Sequence, residues 1–115
     1  MSVTALKARL RADLKTAMQA RATDEMRLLR ALAAAVDNAE AVPAEGVQDR
    51  ASPTAFGLGA GEVPRRELTS GDLAAVLERE RDERLAAASE YERLGQSPEA
   101  ARLVHEAELI GRYNT

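Results

Sequence analysis

The sequence predicts an all-α domain in which four main helices pack as a small bundle, with a long mobile loop between the second and third. Three observations predict it. Hydrophobic residues make up 45% of the 115 positions, yet only one Phe, two Tyr and no Trp contribute to them. The core must therefore be built from Leu, Ala, Val and Met, which apart from Val are strong helix formers. Apolar residues recur at spacings of three and four through most of the chain, the period of a helix with one buried face. Most of the proline and glycine falls instead in one stretch, 42–67, which divides the chain into two helical halves. A chain of this length makes one domain and buries roughly two-thirds of its unfolded surface.

The first helix is expected over about 3–21. Leu6, Leu10, Leu14, Ala17 and Met18 form its apolar stripe, and either Ser2 or Thr4 is placed to cap it. The second, about 24–41, follows Thr23, which reads as an N-cap, with Asp24 and Glu25 in the first turn where they complement the positive helix end. Met26, Leu29, Leu32, Ala33 and Val36 point inward. Leu28, Ala35 and Ala39 widen that face enough to meet more than one neighbour. This helix stops near Ala41, ahead of Pro43.

From Val42 to Glu67 the prolines and glycines (Pro43, Gly46, Pro53, Gly57, Gly59, Gly61, Pro64) leave no room for a regular element. A connection of this length without structure is uncommon in a compact domain. With Phe56 as its only aromatic, it reads as disordered rather than as a functional loop.

The third helix, about 70–94, opens on Thr69-Ser70-Gly71-Asp72, a weak relative of the capping box. Leu73, Val76, Leu77, Leu85, Ala88, Tyr91 and Leu94 fall near one face. The charged run Glu78–Arg84 interrupts them, with Glu80 and Arg84 at positions where the stripe would otherwise be apolar. Gly95 supplies the stop. Ser97-Pro98 then reads as an N-cap with proline at the first position of the last helix, about 98–111, which turns Ala100, Leu103, Val104, Ala107 and Ile110 inward.

Composition narrows the function. Without cysteine there is no disulfide, no thiol nucleophile and no thiolate metal site. Lys7, Arg9 and Arg11 have no apolar run behind them, so the N-terminus does not read as a signal peptide. The longest all-apolar run, Ala31–Val36, is far short of the ~20 residues that cross a bilayer. A soluble cytoplasmic protein is the expectation. The formal charge of −3 hides a basic first helix and an acidic second half, which either attract each other within the fold or face different partners.

The chemical motifs mostly have bland explanations. Gly57-Leu58-Gly59-Ala60-Gly61 lacks the strand before it and the helix after it that aim a glycine loop at phosphate, and reads as linker. His105, beside Glu106 and near Glu108, is the only histidine and lacks the third and fourth ligands a zinc site wants. It also has no serine, threonine or cysteine partner at a recognisable spacing. No catalytic, cofactor-binding or metal-ligating set emerges, and no cofactor is expected. The run Glu78–Arg84 mixes signs at helical spacing, either a solvated ion-paired face or a docking surface centred on Glu78, Arg81 and Arg84 with Tyr91 nearby. Lys7, Arg11 and Lys15 share a ridge of the first helix, and Arg27 and Arg30 add charge on the second. These five are the candidate RNA-contacting residues, since cations so spaced meet phosphates without reading sequence. The acidic balance and scarcity of aromatics for base stacking argue for a solvated polar face instead.

Taken in order, the basic LKARLRADLKTAMQARATDEMRLLR (Leu6–Arg30), LLRALAAAVDNAE at Leu28–Glu40, EYERLG at Glu90–Gly95 and AARLVHEAELI at Ala100–Ile110 resemble the helical half of the GatB/YqeY-like family. That family comprises the C-terminal tail of the tRNA-dependent amidotransferase B subunit and its small free-standing relatives. The resemblance spans Leu6–Glu40 and Glu67–Ile110, sharpest at Asn38-Ala39-Glu40 and Glu90-Tyr91-Glu92. It implies a non-catalytic module whose partner is tRNA or a translation-related protein complex. In the amidotransferase the tail helps hold the misacylated tRNA, and free-standing members are associated with carbon–nitrogen ligase activity with glutamine as amido-N-donor. Two departures stand out. Where relatives run on through Tyr-Leu-Pro into a second helical domain, this chain reads Gly111-Arg112-Tyr113-Asn114-Thr115, so that domain is expected to be absent. Asp37 stands where relatives often carry a basic residue. The alternative is a protein-interaction or oligomerisation module unrelated to tRNA, with an independent enzyme a more distant third.

Overall fold

Short-range polar contacts set the helix ends. Ser2 has extended backbone (φ −98°, ψ 162°), and its Oγ accepts from the Ala5 N–H at 3.0 Å, so Ser2 rather than Thr4 starts the first helix. Thr69 and Asp72 make a complete capping box: each side chain accepts from the other's backbone N–H, at 3.0 and 2.9 Å. The Thr69 N–H holds the Asp72 carboxyl below its ordinary range. The computed structural model describes residues 1–41 and 66–114. In these residues the chain forms α1 (Val3–Gln19), α2 (Thr23–Ala41), α3 (Ser70–Arg93) and α4 (Ser97–Gly111), and no strand.

Both short turns close in the same way. At the end of α3, Gly95 adopts φ 78°, its N–H bonds the Glu92 carbonyl, and the Gln96 N–H reaches the Tyr91 carbonyl. That is a Schellman motif, and only glycine enters this backbone region without a Cβ penalty. The end of α1 repeats it with Arg21 at φ 57°, while Ala22 bonds Ala17 and Arg21 bonds Met18. The last helix departs from expectation. Gln96 is its N-cap and makes no side-chain cap bond, whereas Ser97 lies inside α4 and its hydroxyl donates back to Glu92 at 3.1 Å.

The result is two helical hairpins, α1–α2 and α3–α4, joined chiefly where α2 lies against α3. The main core sits at that junction. It combines Leu6, Leu10 and Ala17 of α1, Leu28, Leu29, Leu32 and Val36 of α2, Leu68, Leu73, Val76 and Leu77 at the start of α3, and Ile110 and Tyr113 at the end of α4. Each fully buried Leu or Val here contributes roughly 1.5–3 kcal/mol. The wide apolar face of α2 is used as expected, on α1 one way and α3 the other.

Beyond this junction α3 outlasts its neighbours. Its 24 residues run about 36 Å at 1.5 Å per residue. Among the described residues its outer half has only α4 beside it, and the core there shrinks to Ala88, Ala100 and Leu103. Four residues expected inside are consequently exposed: Leu85, Tyr91, Leu94 and Val104, with Leu94 at 63%. Met18, near the end of α1, is likewise 50% exposed rather than core. The stripe pattern was real, but a helix face is buried only where another element reaches it.

Most of the loop expected over 42–67 falls outside the described residues. Its final residues do not. The Arg66 N–H donates to the Glu40 carbonyl at 2.8 Å, Arg66 reaches Asp72 at 3.6 Å, and Leu68 is buried. The end of α2 and the approach to α3 are thus tied side by side.

Candidate functional site

The cationic ridge of α1 is divided by its contact with α2. Lys7, Arg11 and Lys15 are one turn apart, but only Lys7 lies level with the acidic end of α2. Its ammonium is 2.5 Å from Glu40 and 3.2 Å from Asp37. The hydrogen bond that Lys7 donates to Glu40 raises the Lys7 pKa, against the lowering effect of burial. Within the three-residue ridge Lys7 thus stands apart: it neutralises a carboxylate that is itself almost fully buried, and Asp37 contributes to the same cluster. Arg11 and Lys15 remain exposed, as do Arg30 and Arg27, the last at 3.8 Å from Asp24.

On α3 the charged run is not one solvated face. Glu80 and Arg84, which fall where apolar residues belong, turn toward α4. Arg84 donates to Glu80 and Glu106, both at 3.1 Å, and Glu106 accepts a 2.7 Å bond from Arg102, which also reaches Glu99. The side chains of Arg84 and Glu106 are 17% and 9% exposed, so this network replaces an apolar layer between the main core and the small outer one. Of the docking candidates, Arg84 is the one engaged between the helices. Glu78 is exposed, Arg81 pairs with its neighbour Asp82 at 3.3 Å, and Tyr91 faces solvent. On the outer half of the hairpin the exposed apolar side chains are Leu85, Tyr91, Leu94 and Val104.

His105 is exposed on α4, its Nδ1 3.9 Å from Glu108. Among the described residues no three His, Asp or Glu side chains converge as metal ligands. The glycine stretch Gly57–Gly61 lies outside the described residues. No helix among them is long and apolar enough to cross a membrane.

One site has no counterpart in the sequence reading. Tyr113, just past the end of α4, is 6% exposed and folds back onto α1. Its hydroxyl donates to Asp13. The Arg9 guanidinium lies over its ring, 4.4 Å from the centroid, a cation–π contact. Burial, and then the Asp13 carboxylate, push the phenol well above its ordinary range, so it stays a donor. These residues wall a cleft of about 370 Å³ between α1, the start of α2 and the end of α4, with Leu28 and Leu29 at its base and Glu25 and Arg112 also lining it. The signal that was available is spacing: Tyr113 stands three residues after Ile110, continuing the inward face of α4 past its glycine.

Compared with protein-family models, curated proteins and solved structures, the chain matches none of them. Its function must therefore be argued from these surfaces.

Proposed function

We propose that the chain is a non-catalytic helical binding module that meets a protein partner through the outer half of the α3–α4 hairpin. The supporting observation is the exposure of Leu85, Tyr91, Leu94 and Val104 on that one projecting element. Large apolar side chains left in solvent on one projecting element offer a partner apolar area to cover. Here they come from a chain with few aromatic residues, one of its two tyrosines among them. The ion-pair network beneath them holds the two helices in register, so the hairpin offers its tip as a preformed surface.

The resemblance to the GatB/YqeY-like helical domain suggests the setting, a tRNA amidotransferase or related translation complex. The carbon–nitrogen ligase association belongs to that complex, and no residue of this chain is assigned a step in it. A second reading, direct contact with tRNA, draws on the solvent-facing positions of Arg11, Lys15, Arg27 and Arg30.

A photo-crosslinking amino acid placed at Leu94 and, separately, at Arg11 tests both in the cell the protein comes from. A discrete protein adduct at Leu94, lost with Leu85→Ser and Val104→Ser, supports docking through the arm. An RNA adduct at Arg11 with none at Leu94 would transfer the function to the basic face. Fluorescence anisotropy with tRNA then checks that result. Binding must fall with salt and with Arg11→Glu and Lys15→Glu if phosphates are the target.

A further inference from the structure

We propose that the cleft beside Tyr113 binds a small zwitterion with an apolar side chain, a free α-amino acid of the leucine, methionine or phenylalanine type. This stands independently of the docking role of the arm, which lies at the other end of α3.

The inference starts from size. At about 370 Å³ the cleft is near the small end of ligand pockets and suits a metabolite rather than a polymer. Its chemistry is more specific. Leu28 and Leu29 form an apolar base, and four charged residues, two of each sign, surround it: Arg9 and Arg112, Asp13 and Glu25. Arg9 and Asp13 stand one turn apart on α1, the spacing at which opposite charges usually pair. They do not pair. Each is turned onto Tyr113, the guanidinium over the ring and one carboxylate oxygen at the hydroxyl. That leaves the edge of the guanidinium and the second oxygen of Asp13 with hydrogen-bonding capacity. Glu25 and Arg112 form no ion pair among the described residues, although much of the chain's charge is paired, from Lys7 with Glu40 to Arg84 with Glu106.

A simple anion would meet Asp13 and Glu25, and a simple cation would meet Arg9 and Arg112. A neutral apolar molecule would desolvate all four for no return. A zwitterion satisfies both signs at once: its carboxylate accepts from the arginines, its ammonium donates to the acids, and its side chain packs on Ala20, Ala22 and Leu109 above the buried Leu28 and Leu29. The buried Tyr113 hydroxyl holds Asp13 in place, which preorganises one acceptor before ligand arrives.

The test is a ¹⁵N–¹H correlation titration of the full chain with L-leucine, L-methionine and L-phenylalanine. N-acetyl-L-leucine, L-leucinamide and leucyl-leucine serve as the arms that remove one charge or extend the ligand. The expected result is saturable shifts at the Ala17, Ala20 and Leu109 amides with a Kd in the millimolar range or below. Loss of either ligand charge should weaken binding roughly three- to tenfold, the size of one solvent-exposed charge-assisted contact. Glu25→Gln and Arg112→Gln, both at exposed positions that leave the core intact, should weaken L-leucine by a similar factor. Absence of saturation by about 20 mM, a ligand strength already near the limit of meaningful affinity, overturns the proposal. So does equal binding of the acetylated and amidated forms, which would mean an apolar crevice indifferent to charge. Binding of leucyl-leucine without leucine would overturn the assignment to a free amino acid in favour of a peptide.

Discussion

Tyr113 lies just past the end of α4, and its burial and its contacts with α1 tie it into the fold. Tyr113→Ala removes a ring that packs with the main core and carries the Arg9 guanidinium. Aromatic-to-alanine changes in cores cost about 3–5 kcal/mol. The adjoining cleft admits water and lets the site relax, so a loss of about 2–3 kcal/mol is expected. For a domain of this length 1 kcal/mol corresponds to roughly 4 °C in Tm, so the midpoint should fall by roughly 8–12 °C. Tyr113→Phe keeps the ring and the cation–π contact and loses only the hydrogen bond to Asp13. Because Asp13 is half-exposed and can rehydrate, about 1 kcal/mol is expected.

The same residue sets a pH signature. Its pKa is raised in the folded state, so above the unfolded value, near 10, the unfolded chain releases a proton that the folded chain keeps. The unfolded state then binds fewer protons, and stability must fall as pH rises through that window, by at most about 1.4 kcal/mol per pH unit from this group. Urea unfolding at pH 7 and across pH 9–11 tests both points. Tyr113→Phe should remove the part of the alkaline slope that Tyr113 contributes and leave the part from Lys7, whose pKa is also raised. A Tyr113→Ala protein within about 0.5 kcal/mol of wild type would refute the idea that Tyr113 anchors the end of α4 to α1.

Three further outcomes follow from the geometry. Lys7→Ala should cost about 1–2 kcal/mol by leaving Glu40 short of its ammonium, whereas Arg11→Ala and Lys15→Ala should stay within about 0.5 kcal/mol in urea melts. Equal effects at all three would mean that the ridge acts as a unit. Glu106→Ala should destabilise by about 2–3 kcal/mol because Arg84 and Arg102 lose a shared, nearly buried acceptor. Glu106→Leu combined with Arg84→Leu should recover most of that loss, a comparison that thermal melts of the single and double variants provide. Gly71→Ala should stabilise by about 0.5–1 kcal/mol, since a Cβ there meets nothing nearer than Thr69 Oγ1 at 3.7 Å. Gly95→Ala, at φ 78°, should lose about 1 kcal/mol. Chemical denaturation of both variants checks the pair.

The sequence was most informative where structure is decided locally. Helix ends lie within about two residues of expectation because Ser2, Thr69 with Asp72, and Gly95 act on backbone groups three to five positions away. The breadth of the apolar face of α2 was also legible, since it depends only on that helix's own residues. Glu80 and Arg84 are legible in the sequence as polar residues at apolar positions. Their true partners, Glu106 and through it Arg102, lie on another helix, and nothing in the local pattern distinguishes such a pair from a solvated face.

Local sequence therefore sets the helices, their caps and the stripe each one offers to a core. The tertiary structure alone decided which part of each stripe is covered. Leu77 and Leu94 belong to the same stripe of α3, yet only the first meets α2, because the hairpin outruns the helices packed at its base. Lys7, Arg11 and Lys15 are equivalent along α1, but the register of α1 against α2 brings Lys7, and not Arg11 or Lys15, to Glu40. Asp13 and Tyr113 are 100 positions apart and meet only because α4 returns to α1. Capping and periodicity are properties of a few adjacent residues. Burial and charge pairing depend on how far one helix extends past another, which no local stretch of sequence encodes.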